Sequence, residues 1–222
     1  QEVAVKMFKG ELTSDGPPSS EVSASLLAGT HTNLPTVIGT LVGQPEAKKA
    51  LVLKIIEKDF KTLAGPPSMA TCSRDVYREG LNYSLPQVIT IATGIANALV
   101  QLHEKGVMHG DVYGHNIMWR ERDGHALLSD FGAASPTLHL PADHKAGLEA
   151  LEIRAFGVLL GELLSHRATA KNGGSDAING GSEAEAVQRL DVLHKRCMGE
   201  VSHRPSSKVV AKEMEEAGNM LK

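Results

Sequence analysis

The sequence predicts an α+β fold in which a small β-rich front part precedes a larger, mainly helical back part. Apolar and β-branched runs typical of strands dominate roughly the first 65 residues. Farther along, apolar residues recur at three- and four-residue steps, which is typical of amphipathic helices. The length of 222 residues suffices for one large domain or two small lobes.

Two strands and one helix are predicted in the front part. Residues 3–8 and residues 50–56 are apolar, β-branched runs that predict buried strands. Between them, a short helix is predicted from about residue 20 to residue 29, with Ser19 or Ser20 as its N-cap.

Two long helices are predicted in the back part. Ser84 and Gln87 have the spacing of a capping box, and Gly106 stands where a glycine would end the helix. The apolar stripe of this helix comprises Val88, Ile91, Ile95, Leu99 and Leu102. A second stripe predicts another helix and comprises Leu148, Leu151, Ala155, Leu159 and Leu163.

Composition and charge exclude several classes of function. With 23 basic and 26 acidic residues, the net charge of −3 gives no overall attraction to nucleic acid or anionic lipid. Cys72 and Cys197 lack metal-ligand spacing and predict two reduced thiols. No run approaches the roughly 20 apolar residues of a membrane span. The best candidate, residues 155–164, is short and is interrupted by Glu162. We therefore expect a soluble, cytoplasmic protein without membrane insertion.

A segment between the two predicted helices carries the polar residues that indicate chemistry. Asp111 and Asn116 stand in one loop of this segment. Residues 117–119 and 126–129 predict two strands that are joined through Asp123-Gly124, a dipeptide typical of hairpin turns. Such a hairpin brings the residues at its open end close together.

The open end of this hairpin predicts a magnesium site. It holds Asn116 and Asp130, with Asp111 beside them. Amide and carboxylate oxygens suit Mg²⁺, which completes its shell with water and phosphate. Gly132 is expected to give the backbone the freedom that aims the Asp130 carboxylate. Four histidines show no metal-site pattern and are expected to be solvated or hydrogen-bonded: His31, His115, His139 and His144.

The order and spacing of these residues resemble the protein kinase superfamily over almost the whole chain. His109-Gly110-Asp111 with Asn116 is similar to the catalytic loop, which is H-R-D-x₄-N in most members. Asp130-Phe131-Gly132 matches the magnesium-binding DFG motif, and residues 3–6 resemble the V-A-I-K strand. Residues 150–157 are similar to a run in small bacterial kinases joined to leucine-rich repeats.

The resemblance implies a role for each matching residue. Asp111 would accept the proton of the acceptor hydroxyl, and Asn116 and Asp130 would bind Mg²⁺. Lys6, paired with Glu21, would hold the α- and β-phosphates of ATP. The residues implied to contact the nucleotide are Ala4, Lys6, Leu53 as the gatekeeper, Ile55 in the hinge, Met118 and Asp130.

The resemblance also implies a two-lobed fold and a reaction. Residues 1–57 would form a truncated small lobe that runs from the third strand of the kinase fold to the hinge, and residues 58–222 the large lobe. No G-x-G-x-x-G motif occurs, so we expect a glycine-rich hairpin ahead of Val3, on which activity would depend. The implied reaction is ATP- and Mg²⁺-dependent transfer of the γ-phosphate to a Ser, Thr or Tyr hydroxyl of a protein or peptide substrate.

Several positions depart from the usual kinase pattern. Gly110 replaces the arginine that normally pairs with an activation-loop phosphate, so we expect no dependence on that switch. Glu152 stands where an aspartate is common, and the activation segment before it is short and lacks an Ala-Pro-Glu motif. Glu149 is a candidate partner for Arg204. Tyr113 occupies the position of the phosphate-contacting lysine of serine/threonine kinases, which leaves the acceptor residue open.

Two alternative functions remain open from the sequence. The catalytic loop also resembles that of aminoglycoside and choline phosphotransferases, which phosphorylate small molecules on a similar core. The short activation segment would also suit a pseudokinase that serves as a scaffold or interaction module. The sequence leaves the oligomeric state open.

Overall fold

The computed structural model describes residues 2–8, 16–41, 50–70, 75–168 and 180–222. The predicted thiol Cys72 lies outside these residues, whereas Cys197 is a buried free cysteine. The helices are α1 (Pro18–Ala28), α2 (Leu85–Glu104), α3 (Ala142–Ser165), α4 (Gly180–Met198) and α5 (Ser207–Asn219). The strands are β1 (Val3–Met7), β2 (Val37–Thr40), β3 (Ala50–Lys54), β4 (Phe60–Thr62), β5 (Val107–Met108), β6 (Ile117–Arg120), β7 (Ala126–Leu128) and β8 (Ser135–Pro136). The predicted α+β class is confirmed.

The front sheet is antiparallel, with strand order β1-β3-β2. Ala4 lies opposite Leu53 and Lys6 lies opposite Leu51 across β1 and β3. Because side chains alternate between the two faces of a strand, Val3, Val5 and Met7 share the opposite face of β1. That face is exposed to solvent, and among the described residues no strand pairs with the outer edge of β1.

Helix α1 begins earlier than the sequence predicted. Its N-cap is Pro17, with extended backbone angles, and Pro18 occupies the first turn. The expected caps Ser19 and Ser20 therefore lie inside the helix, and this prediction was wrong. The fixed backbone angle of proline suits the first helical position, which moves the start toward the two prolines. Gly29 ends the helix with a positive φ of 69°.

Helix α2 lies at the centre of the hydrophobic core. The predicted capping box is present, because Ser84 and Gln87 bond reciprocally, and Gly106 follows the helix with a φ of 65°. The helix packs against α3, α5 and β7. By length and composition α2 is also apolar enough to cross a membrane, so the sequence-based view that no stretch approaches that length was wrong. In this fold its apolar side chains are buried in the protein core.

Helix α3 turns a different face inward from the one predicted. Leu159 and Leu163 are buried as expected, but Leu151 is 51% exposed. The inward face begins instead at Glu152 and Ile153. Glu152 points inward because its carboxylate binds two backbone N–H groups of the catalytic loop, and its neighbour Leu151 consequently points outward.

Two small antiparallel pairings hold the segment that carries the candidate site. Strands β6 and β7 form the predicted hairpin, with β4 added on the other side of β6. The N–H of Ser129 donates to the carbonyl of Asn116 at 2.8 Å, so the residues before β6 and after β7 are adjacent. Strand β5 pairs with β8, which fixes the chain before the catalytic loop to the chain after Asp130.

Candidate active site

Lys6 lies between two carboxylates that come from distant parts of the chain. Its Nζ is 2.5 Å from Glu21 Oε1 on α1 and 3.1 Å from Asp130 Oδ1 after β7. Burial opposes the positive charge, but the hydrogen bond to Glu21 and the nearby carboxylates outweigh it and raise the pKa of Lys6. The ammonium is therefore charged and directed at the cleft.

Asp130 is held in an unusual backbone conformation. Its φ is +56°, and it is the one non-glycine residue with positive φ among the described residues. Gly132 does not have a positive φ. Its N–H donates to Asp130 Oδ1 at 3.2 Å. The expectation that the freedom of this glycine aims the carboxylate stays a prediction. Burial raises the pKa of Asp130, but Lys6 and this N–H outweigh it and lower the pKa overall.

Asp111 and Asn116 are joined directly within the catalytic loop. The Nδ2 group of Asn116 donates to Asp111 Oδ2 at 2.7 Å and to the Asp111 carbonyl at 3.1 Å. These bonds use the amide nitrogen of Asn116 and leave its amide oxygen for another partner. Among the described residues, no group forms a hydrogen bond with Asp111 Oδ1, and the side chain is 36% exposed.

Glu152 anchors the start of the catalytic loop from below. Its Oε1 accepts hydrogen bonds from the N–H groups of His109 and Gly110, both at 2.8 Å. Its Oε2 lies 2.9 Å from His103 Nε2, and the other ring nitrogen of His103 lies 3.1 Å from Ser207 Oγ. A carboxylate that is almost completely buried is thus satisfied by three donors or ring nitrogens. The sequence pointed to this position but not to His103 or Ser207.

His109 is fully buried beneath the loop. Its Nε2 lies 3.0 Å from the carbonyl of Ser129, and its ring meets Phe131 edge-on at 5.0 Å between centroids. Burial lowers the pKa of His109, despite the opposing effect of Glu152. The neutral imidazole connects the catalytic loop to the chain that leads into Asp130.

Gly110 adopts a conformation that excludes the usual arginine. Its φ is +83°, and an added Cβ would come within 2.6 Å of the Ala133 carbonyl oxygen. The N–H of Thr137 also donates to the Gly106 carbonyl at 2.7 Å, next to the pairing of β5 with β8. The segment after Asp130 therefore packs directly on the catalytic loop.

Asp75 and His115 were not connected by the sequence. The carboxylate of Asp75 is fully buried, and its Oδ1 lies 2.6 Å from His115 Nδ1. On its other side, His115 Nε2 lies 3.6 Å from Asp111 Oδ2. No local signal could reveal this pair, because 40 positions separate the two residues.

The residues predicted to contact the nucleotide do not all line the same cavity. Lys6, Leu53 and Asp130 line one cavity of about 60 Å³ with Glu21 and Phe131. Ala4 is next to this group because it pairs with Leu53. Ile55 instead lines a separate groove with Thr36, Phe60 and Arg120, and it is 43% exposed. Met118 lies on β6, with its sulfur 3.8 Å from Thr62 Oγ1. The nucleotide roles of all these residues stay predictions.

Arg204 does not contact Glu149, so that proposed pair was wrong. The guanidinium of Arg204 donates to the carbonyls of Gly199 and Ala150, each at 2.9 Å. Glu149 lies 3.6 Å from Lys145, one turn earlier on α3. Because α3 is continuous through this region, Glu149 has a helical neighbour at the favourable four-residue spacing.

The family description "Protein tyrosine and serine/threonine kinase" matches residues 1–154. The chain belongs to this protein kinase family. The match includes β1 with Lys6, the catalytic loop and the Asp130-Phe131-Gly132 motif.

Individual relatives match shorter parts of the chain. A protein kinase and PP2C-like domain-containing protein of Oryza sativa subsp. japonica is 41% identical over 69 residues, which is 31% of this chain and 10% of that protein. The serine/threonine-protein kinase AtPK1/AtPK6 of Arabidopsis thaliana is 43% identical over 60 residues, 27% of this chain and 12% of that protein. The probable inactive leucine-rich repeat receptor kinase XIAO of Oryza sativa subsp. japonica is 31% identical over 103 residues, 46% of this chain and 8% of that protein. The matched regions span about a tenth of the length of these relatives.

Proposed function

We propose that this protein transfers the γ-phosphate of ATP to a hydroxyl group of a protein or peptide substrate. The observation that carries this proposal is the contact of Lys6 with both Glu21 and Asp130. The three charges come from β1, α1 and the end of the β6–β7 hairpin, so their meeting requires both lobes to adopt a defined arrangement. The kinase-named relatives support the same class of reaction.

The donor groups of the cleft fit Mg²⁺ and a nucleotide. Asp130 supplies a partly exposed carboxylate, and Asn116 supplies an amide oxygen that its bonds to Asp111 leave unused. Such hard oxygen donors are the ones that Mg²⁺ prefers. When bound, ATP would supply the phosphoryl group and Mg²⁺ would neutralise charge on its phosphate oxygens. Asn116 and Asp130 are the residues that would hold the metal, and Lys6 would bind phosphate oxygens.

Asp111 is the general base that acts on the acceptor hydroxyl. Its Oδ2 is held by Asn116, which leaves Oδ1 to accept the proton of an incoming hydroxyl. A positioned carboxylate of this kind contributes roughly 10²- to 10⁴-fold to rate as a general base. Lys6 meanwhile neutralises oxygens of the transferring nucleotide, and Glu21 keeps its ammonium in place.

Mg²⁺-dependent stabilisation by ATP tests the nucleotide site in the full natural chain. A ligand that binds only the folded state raises the melting temperature. We expect ATP to raise it in the presence of Mg²⁺, and the rise to be lost in Asp130→Asn. Asp191→Asn, on the exposed side of α4, is the matched control and should retain the rise. No rise in the wild-type protein would contradict the proposal and favour a non-catalytic scaffold.

An acceptor screen tests the class of substrate. Peptides that contain Ser, Thr or Tyr are compared with aminoglycosides and choline, and phosphate incorporation is measured for each. We expect turnover of peptides. Selective turnover of a small alcohol would contradict the proposal and favour a small-molecule phosphotransferase.

A further inference from the structure

The pair formed by Asp75 and His115 is built into the wall of the candidate site. Asp75 Oδ1 lies 2.6 Å from His115 Nδ1, and Asp75 Oδ2 accepts the backbone N–H of His115 at 3.1 Å. The side chain of Asp75 is fully buried. A buried carboxylate is costly unless it is paired, so these two bonds fix both the backbone and the ring of His115.

The segment that carries Asp75 is itself anchored to the large lobe. Val76 exchanges two backbone hydrogen bonds with Gly65, at 2.8 and 2.9 Å. The hydroxyl of Tyr77 is 3.1 Å from Glu162 Oε2 on α3. Asp75 is therefore a fixed support for the catalytic loop.

Gly114 allows the loop to approach this support closely. A Cβ at this position would come within 2.9 Å of the Tyr77 hydroxyl and 3.1 Å of Asp75 Oδ2. The absence of a side chain at Gly114 lets the next residue, His115, reach the buried carboxylate. This close approach is a second observation, independent of the hydrogen bonds, and it indicates that the loop is packed specifically against Asp75.

The free side of the His115 ring faces the candidate base. Its Nε2 is 3.6 Å from Asp111 Oδ2, the same oxygen that accepts the Asn116 amide at 2.7 Å. Tyr113 stacks on the ring, with centroids 5.7 Å apart and an angle of 22° between the planes. The Asp111 carboxylate thus has two side-chain neighbours at Oδ2, and among the described residues none forms a hydrogen bond with Oδ1.

We infer that His115, held by Asp75, is a positioning residue that orients the carboxylate of Asp111 toward the acceptor hydroxyl. This inference rests on the proposed phosphotransfer function. His115 acts through Asp111 and does not itself contact ATP. Its Nε2 lies beside Oδ2 at 3.6 Å, and the Asn116 amide binds the same oxygen, so Oδ1 is left to face the substrate. The loop has Tyr113 where many kinases have a lysine.

Two amide substitutions separate the two sides of the ring. In His115→Asn, the amide nitrogen takes the place of Nδ1 and still bonds Asp75, but no atom reaches Asp111. In His115→Gln, the amide nitrogen takes the place of Nε2 and still reaches Asp111. The side-chain bond to Asp75 Oδ1 is lost, whereas the bond from the backbone N–H to Asp75 Oδ2 remains and keeps the residue in place. If His115 has only a structural role, the His115→Asn variant should keep wild-type stability and turnover. The His115→Gln variant should lose both.

Steady-state turnover of ATP by the full natural chain provides the test. We expect His115→Asn to lower kcat by roughly 10- to 100-fold, since small misplacements of reacting groups have effects of that order. KM for ATP and the melting temperature should stay near wild type. We expect His115→Gln to keep kcat within a few-fold while lowering the melting temperature. His144→Asn, an exposed histidine on α3, is the matched control and should change neither.

Each outcome decides one of the two claims. Wild-type turnover that is lost in Asp111→Asn but kept within about twofold in His115→Asn would overturn the positioning role and leave the proposed function standing. If His115→Asn does not fold, His115→Gln decides, because a loss of kcat per folded molecule in that variant would contradict the role. Absence of turnover in the wild-type protein would overturn the proposed function and this inference with it.

Discussion

The single residues that matter most here are charged or polar groups whose partners lie far away in sequence. Glu152 on α3 binds the backbone of His109 and Gly110, and the ring of His109 in turn contacts the Ser129 carbonyl. The catalytic loop is therefore held by side chains beneath it as well as by its own turns. Because burial lowers the pKa of His109, the stability of the folded protein should depend on pH.

The free energy of unfolding should fall as the solution is acidified. Burial lowers the pKa of His109 in the folded protein, whereas the unfolded chain binds a proton below a pH of about 6.5. The unfolded state then holds more protons, so stability is present above that pH and is lost as the pH falls toward the folded pKa. Urea unfolding at pH 7 and pH 5 measures the loss.

The substitution His109→Gln isolates the contribution of this ring. The glutamine amide can donate to the Ser129 carbonyl but gains no proton in this pH range. We expect the variant to lose less stability than the wild type between pH 7 and pH 5, while the exposed control His144→Gln keeps the wild-type loss. Equal losses in wild type and His109→Gln would show that another group causes the pH dependence.

The sequence predicted some of these residues and not others. Lys6, Glu21, Asp111, Asn116 and Asp130 belong to short motifs whose spacing is readable, and the structure brings Lys6 to Glu21 and Asp130, and Asp111 to Asn116. Asp75, His103 and Ser207 belong to no such motif. Their importance comes from burial and from contacts across the fold, which a single sequence does not encode locally.

Among the elements, the pairing of β5 with β8 has the most direct effect on the site. It holds the chain after Asp130 against the catalytic loop, and Gly110 permits the close contact with Ala133. Independence of this arrangement from a phosphate on the activation segment stays a prediction, which rests on the absence of an arginine at position 110.

Replacement of Gly110 by alanine should disrupt this contact. A left-handed backbone with a side chain costs roughly 1–3 kcal/mol, and the added Cβ would also press on the Ala133 carbonyl. We expect a loss of stability of that order in urea unfolding. Gly147→Ala on α3 is the matched control, because its Cβ meets no atom within 4 Å and its φ is not positive.

The control variant should be neutral or slightly stabilising, since alanine favours a helix over glycine by roughly 1 kcal/mol. A Gly110→Ala protein as stable as the wild type would contradict the packing of residues 133–137 on the loop.

Local signals predicted the elements well where those signals were strong. The capping box of α2, the glycine that follows it and the β6–β7 hairpin all agree with the structure. The inward face of α3 was mispredicted because a buried glutamate, rather than a leucine, points at the catalytic loop. Strands β4 and β8 were not predicted because they are only three and two residues long and depend on partners elsewhere.

At the scale of the whole molecule, a small β sheet and a helical lobe meet at Lys6, Glu21 and Asp130. The family match over residues 1–154 covers that meeting point and the catalytic loop. The outer edge of β1 has no strand partner among the described residues, and its Val3, Val5 and Met7 side chains are exposed.

The central claim is that Asp111 serves as the base in phosphoryl transfer from ATP. The initial rate of Mg²⁺-dependent phosphate transfer by the full natural chain, measured beside its Asp111→Asn variant, tests it most directly. We predict a measurable rate that falls by roughly 10²- to 10⁴-fold in Asp111→Asn, with stabilisation by ATP retained because Asp111 does not hold the nucleotide. A rate that is the same in both proteins, or absent in the wild type, would contradict the claim.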